Sequence, residues 1–275
     1  MSTQKRIVVT GSTRGIGKGM AAEFLRLGHS VVISGRSQAA VDEALTDLQP
    51  LIGAGGRLHG VPCEVSNLEQ VQRLWSESTR VFAGVDIWIN NAGVSHPRQR
   101  AGELREEDVE RVASTNILGM MWATQVAMLG MAQQPEGGFI YNMEGYGSNG
   151  MINPGMGLYG ASKFALTYFN KCLLAENRNS KVRICYLSPG IVLTDLLKRD
   201  MGSNNPADWE RTKRIYNILA DRVETVTPWL AQHVLANKKS GARVAWLTGG
   251  KAAKRFFMSL FRKRQILTDA DLAPG

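Results

Sequence analysis

The chain has little cysteine. Cys63, Cys172 and Cys185 stand far apart among 275 residues. An odd number without close spacing suggests neither a disulfide framework nor a zinc site. The four histidines are scattered, so no metal constellation is legible. Long apolar runs are also lacking, and none approaches the ~18 residues needed to span a bilayer. Only five residues precede the first strand-like run, with no signal or transit pattern among them, so a cytoplasmic protein or a processed chain is expected. Acidic charge is in deficit: 24 Asp and Glu against 33 Lys and Arg leave a formal charge of +9. Such a surface attracts anions in general. No nucleic-acid motif accompanies the charge, and no nucleic-acid partner is expected.

Apolar residues make up 44% of the chain, enough for one packed core. Strand-like runs begin near Arg6, Val31, Arg57, Val85, Gly138, Val182 and Arg243, and helical spacing separates most of them. That alternation predicts a single-domain, doubly wound α/β fold of Rossmann type, with a parallel sheet and helices on both faces. Cys185 lies in Val182-Arg183-Ile184-Cys185-Tyr186-Leu187, where a reduced core thiol is expected. Ligand is expected beyond the carboxyl ends of the strands, at the switch point.

The first run ends in Thr10-Gly11-Ser12-Thr13-Arg14-Gly15-Ile16-Gly17 and passes into a helix-spaced segment. Strand, glycine turn and helix start together form a phosphate cradle. The second run ends in Gly35-Arg36-Ser37. An acid near this point would accept from a ribose 2′-hydroxyl, whereas arginine suits a 2′-phosphate. Arg36, joined by Arg14, therefore favours NADPH over NADH. Further along, Tyr159 and Lys163 are four residues apart in Tyr159-Gly160-Ala161-Ser162-Lys163 and share a helix face. A neighbouring ammonium favours phenolate, and such a phenol can exchange a proton with a carbonyl oxygen.

Together these features resemble the short-chain dehydrogenase/reductase family over about residues 5 to 250. Asn90-Asn91-Ala92-Gly93 after an apolar run, Ser114-Thr115-Asn116-Ile117, and Ser188-Pro189-Gly190-Ile191-Val192-Leu193-Thr194 match its further motifs. The resemblance implies that Tyr159 is the acid and that Lys163 lowers its pKa and binds the nicotinamide ribose. It implies that Asn116 holds a relay water, while Pro189, Gly190, Val192 and Thr194 lie at the nicotinamide. Asn91, Ala92 and Gly93 would line the cofactor. Glu64, with Val65, stands where the family has an aspartate beside adenine.

One departure narrows the match. Tyr146 occupies the usual place of the family's serine, and Ser148 follows in Asn142-Met143-Glu144-Gly145-Tyr146-Gly147-Ser148. That pattern resembles the chlorophyll b reductases, in which this serine polarises the carbonyl. The substrate then implied is the formyl group of a chlorophyll(ide) b, reduced to hydroxymethyl. Another aldehyde, ketone or 3-oxoacyl substrate is the alternative reading, and a cofactor-binding scaffold without turnover is a third.

Two segments lie outside the family motifs. Residues 198–235 interrupt the alternation, with Gly202-Ser203-Asn204-Asn205-Pro206 followed by Trp209, Ile215, Tyr216, Ile218 and Leu219. By resemblance this insertion in the 1–250 domain is the substrate lid. The 251–275 tail mixes cations and large apolar residues, with no acid from Lys251 to Leu267. Residues 251–267 can lie on an anionic membrane or pack on their own domain. Met120, Met121, Trp122, Phe164, Leu166 and Phe169 exceed what a sheet face must cover, and the family associates there, so a homodimer or homotetramer is expected.

Overall fold

The computed structural model describes residues 4–200 and 206–267. The polar run 202–205 and the end of the tail, 268–275, lie outside the described residues. The alternation resolves into β1 (Arg6–Val9), α1 (Gly15–Arg26), β2 (Ser30–Gly35), α2 (Gln38–Leu48), β3 (Arg57–Pro62), α3 (Leu68–Phe82) and β4 (Ile87–Asn90). Then come α4 (Glu106–Val112), a wide π-helical turn (Ala113–Gly119), α5 (Met120–Gln133), β5 (Gly138–Met143), α6 (Gly157–Glu176) and β6 (Val182–Ser188). The chain continues as β7 (Val192–Leu193), α7 (Asp195–Asp200), α8 (Pro206–Leu219), β8 (Asp221–Arg222), α9 (Val223–Ala236), β9 (Arg243–Ala245) and α10 (Gly249–Met258).

Seven strands form one parallel sheet in the order β3-β2-β1-β4-β5-β6-β9. These are the seven expected strands. The chain winds outward from β1 to β3, then returns to pair β4 with β1, so the switch point lies between those two strands. A second small sheet pairs β7 with β8, tying residues 221–222 to the segment that follows β6.

Side-chain alternation divides the core. Ile7 and Val9 point to one face with Val31, Ile33, Ile87 and Ile89, where α1, α2 and α9 cover them. Val8 points to the other with Val32, Trp88, Ile140 and Ile184, under α3, α5 and α6. A parallel sheet buried on both faces needs such continuous β-branched runs. The cysteines are free thiols. Cys185 is fully buried, and that burial raises its pKa to about 11.

Not every apolar residue expected at the surface of α5 and α6 is there. Met120 and Leu166 are core residues, whereas Phe164 is exposed and is joined by Leu118, Leu129 and Tyr168. Helical periodicity turns one side of each helix inward, and single residues cannot be assigned to a side without the packing.

Candidate active site

Each cofactor motif sits where a strand gives way to its helix. Gly11 has a φ of +61°, and a Cβ there would lie 2.7 Å from the Ala92 Cα. Only glycine serves that left-handed close approach. The side-chain amide of Asn91 donates to the carbonyls of Thr10 and Gly11, both at 2.8 Å. The Thr10 hydroxyl accepts from the backbone N–H groups of Asn91 and Ala92, each at 3.0 Å. The ends of β1 and β4 are thus laced together at the switch point. Helix α1 starts against them without a side-chain cap and without an acid in its first turn. Its first N–H groups therefore remain available to an anion.

A cleft runs along the carboxyl ends of the strands. Gly11, Thr13, Arg14, Gly15, Ile16 and Gly17 line it on the turn side. Arg36, Ser37, Glu64, Val65, Asn91, Ala92 and Gly93 follow along its floor. Pro189, Gly190, Val192 and Thr194 close its far wall, with Thr194 Cγ2 3.4 Å from where a Gly15 Cβ would stand. Ser12 is different: fully buried, it donates to the Val9 carbonyl at 2.6 Å and accepts from the Ser34 N–H at 2.9 Å. It supports the turn from behind. Ser37 caps α2, accepting from the Ala40 N–H at 3.3 Å. Arg36 is exposed at the cleft edge. Arg14 is exposed as well, 3.9 Å from Asp195. The chemistry of this set, main-chain N–H groups beside exposed arginines, suits a phosphorylated dinucleotide.

The catalytic candidates meet deeper in the cleft. Tyr159 and Lys163 are buried on α6. The Lys163 ammonium is 5.8 Å from the Tyr159 ring centre and donates to the Met143 carbonyl at 3.3 Å. Burial lowers its pKa to about 8, against the raising influence of Glu144. A Cβ on Gly145 would lie 2.5 Å from the Tyr159 hydroxyl. The Gly145 N–H donates to the Ser148 hydroxyl at 3.0 Å, so both hydroxyls gather around Gly145. Tyr146 turns outward, 38% exposed, and donates to the Ile152 carbonyl at 3.2 Å. Asn116 sits in the π-helical turn, a frequent feature of functional sites. Its side chain accepts from the Val94 N–H at 2.8 Å, and donates to the Val94 carbonyl at 2.9 Å and to Ser162 at 3.0 Å.

Sequence reading passed over several positioning groups. Buried His96 accepts from the Tyr159 N–H at 3.3 Å, capping α6 from another loop. A buried amide ladder, Asn90 to Asn142 at 2.6 Å and Asn142 to Asn170 at 2.5 Å, braces β4, β5 and α6 behind the site. Polar residues inside otherwise apolar strands were the available signal. The substrate side is also built by loops: Arg98 donates to Asn153 and to the Pro154 carbonyl, both at 2.9 Å. Arg211, Ile215 and Tyr216 of α8 face the same cleft.

This architecture is a doubly wound dinucleotide-binding fold with a tyrosine and lysine at the switch-point cleft. The chain belongs to the short chain dehydrogenase family, whose model matches residues 5–204. It is 35% identical to a chloroplastic chlorophyll(ide) b reductase of Arabidopsis thaliana, over 98% of this chain and 78% of that protein. It is also 35% identical to a probable chloroplastic chlorophyll(ide) b reductase of Oryza sativa subsp. japonica over 89% of this chain, but spans only 50% of that relative's length. Among solved structures it shares the fold of a short-chain type dehydrogenase/reductase from Mycobacterium marinum, with a TM-score of 0.76 at 24% identity over 91% and 96% of the two chains. A 3-ketoacyl-(acyl-carrier-protein) reductase from Brucella melitensis, complexed with NADH, gives 0.74 at 24% over 90% and 98%.

Proposed function

We propose that the protein is an NADPH-dependent reductase of a carbonyl group, acting on the formyl group of a chlorophyll(ide) b-type macrocycle to give hydroxymethyl. The carrying observation is the convergence of Tyr159, Lys163 and Ser148 on one cleft with the glycine turn. The nicotinamide supplies the hydride when bound. Gly11 to Gly17 and the α1 start hold the pyrophosphate, and Arg36 with Arg14 receives the 2′-phosphate. Ser148 donates to the carbonyl oxygen and orients it. Tyr159 gives that oxygen its proton as negative charge develops there. Lys163 stabilises the phenolate left behind and reaches the nicotinamide ribose. Asn116 holds the water that returns a proton through Lys163.

One observation favours a large substrate: the relatives at 35% identity carry the chlorophyll(ide) b reductase name. We further propose a cytoplasmic homodimer or homotetramer, joined through the exposed apolar residues Leu118, Leu129, Phe164 and Tyr168.

The test is NADPH oxidation over a panel of carbonyl compounds that includes chlorophyllide b, small aldehydes and a 3-oxoacyl thioester. Preference for chlorophyllide b in kcat/KM supports the reading. Preference for the thioester replaces the substrate, and no turnover of any compound favours a binding scaffold. Light scattering that gave a monomer's mass at micromolar concentration would remove the oligomer.

A further inference from the structure

The tail is not a free appendage. Asp221 is buried and forms ion pairs with Arg255 and Arg264, each at 2.8 Å. It also accepts from the Trp246 indole at 2.6 Å. Arg255 and Arg264 donate to the carbonyls of Leu219 and Ile218, the last residues of α8. Leu267 is buried beside Leu193 and Ala220. Two of the tail's six cations are thereby committed to Asp221, and Lys251 lies over the Trp246 ring. Lys254, Arg262 and Lys263 remain exposed.

This anchoring turns the opposite side of the tail outward. Leu260 and Phe261 are 73% and 75% exposed, and Phe257 is 62% exposed. Phe256 and Met258 are exposed alongside them. Phe257 and Phe261 pack edge to face, their centroids 5.3 Å apart, so the patch is preformed. Lys254, Arg262 and Lys263 line a groove between α10 and the returning chain together with Met258, and Lys254 stands three residues before Phe257, on the same side of α10. The start of α10 borders the active-site cleft, which Gly249 and Ala252 line.

We propose that the outer side of residues 254–263 is an interfacial surface that seats the protein on an anionic phospholipid bilayer, with the cleft mouth beside the lipid. The aromatics enter the headgroup and acyl boundary, and Lys254, Arg262 and Lys263 meet the lipid phosphates. Charge selects this occupant over a second copy of the chain. A twofold contact would set the same three cations against themselves, with no acid between Lys251 and Leu267 to relieve them. The exposed Leu118, Leu129, Phe164 and Tyr168 offer a separate apolar surface for self-association. A neutral bilayer would satisfy the aromatics alone, so dependence on anionic lipid is the distinguishing property.

The test uses the full chain and vesicles of phosphatidylcholine, with or without phosphatidylglycerol, read by flotation. Wild type is expected to float with the anionic vesicles, to float less as salt rises, and to stay behind with neutral ones. Arg262→Gln/Lys263→Gln is expected to bind roughly 30-fold more weakly, at about one kilocalorie per cation. Phe257→Ser/Phe261→Ser is expected to lose flotation while keeping its thermal midpoint, since both rings are exposed. Equal flotation of wild type and both variants, or equal flotation with neutral vesicles, overturns the proposal. So does a fall in particle mass for the aromatic variant with flotation unchanged, which would assign the patch to contact between copies. The readout requires no turnover, so it stands or falls apart from the substrate assignment.

Discussion

The cofactor half and the substrate half of the cleft are built by different means. On the cofactor side, each contributing segment is a turn at the end of one strand, and neighbouring turns are laced by short bonds such as Asn91 to Gly11 at 2.8 Å. The wall is largely main chain, and glycines let it approach closely. On the other side, the wall is side chain from distant segments: Arg98 reaching Asn153, and Arg211 and Tyr216 of α8. One half recognises an anion by geometry common to many proteins. The other half varies with the loops that happen to face it. The difference teaches where to look for specificity, because Tyr159 and Lys163 stand between the halves and belong to neither.

The sharpest break between the halves is expected at Tyr159. Tyr159→Phe removes only the transferable proton, so turnover should fall by ~10²–10⁴-fold while cofactor affinity stays nearly constant. Near-normal turnover of a verified substrate would move the acid elsewhere.

Next in size comes the carbonyl partner. Ser148→Ala should lower kcat by roughly 10²–10³-fold, in the range of a lost oxyanion donor. Tyr146→Phe should cost far less, because that hydroxyl turns outward to Ile152. A larger loss in the Tyr146 variant would reverse the assignment.

Arg36→Asp probes the cofactor half alone. It removes a fork of bonds to the 2′-phosphate and adds repulsion. The ratio of kcat/KM for NADPH to that for NADH should fall by roughly 10–100-fold. Discrimination that stayed the same would place the reader of that phosphate at Arg14 or beyond.

The smallest effect is on pH dependence. Burial holds Lys163 at about 8 in the free protein, so its positive charge is lost as pH rises through that value. The kcat/KM profile for reduction, which reports the free enzyme, should decline above about pH 8. Lys163→Arg keeps its charge throughout this range. It should flatten that limb even where its absolute rate is lower, and an unchanged limb would assign it to another group.

The seven strands, the glycine turn and the spacing of Tyr159 and Lys163 were legible in the chain because each depends on interactions within a few residues, such as period-two burial, a left-handed turn at Gly11, or four-residue spacing on a helix. The Asn91 and Pro189 segments were legible only by family resemblance, since Asn91 bonds across to Thr10 and Gly11, some eighty positions away. Ser148 was legible only as one of two candidates, and its burial beside Gly145 with Tyr146 facing outward came from the fold of that loop. Ser12 carried a cofactor motif's address but is spent on supporting the turn. The amide ladder through Asn142 left only the trace of polar residues in apolar strands, and His96 and the clamp of Asp221 on Arg255 and Arg264 left none. The tail shows the division most clearly. Its composition established that cations and aromatics lie together without acid. Only the tertiary structure decided which of them turn inward, because that choice belongs to a buried carboxylate more than thirty positions away, for which desolvation without a partner would be costly.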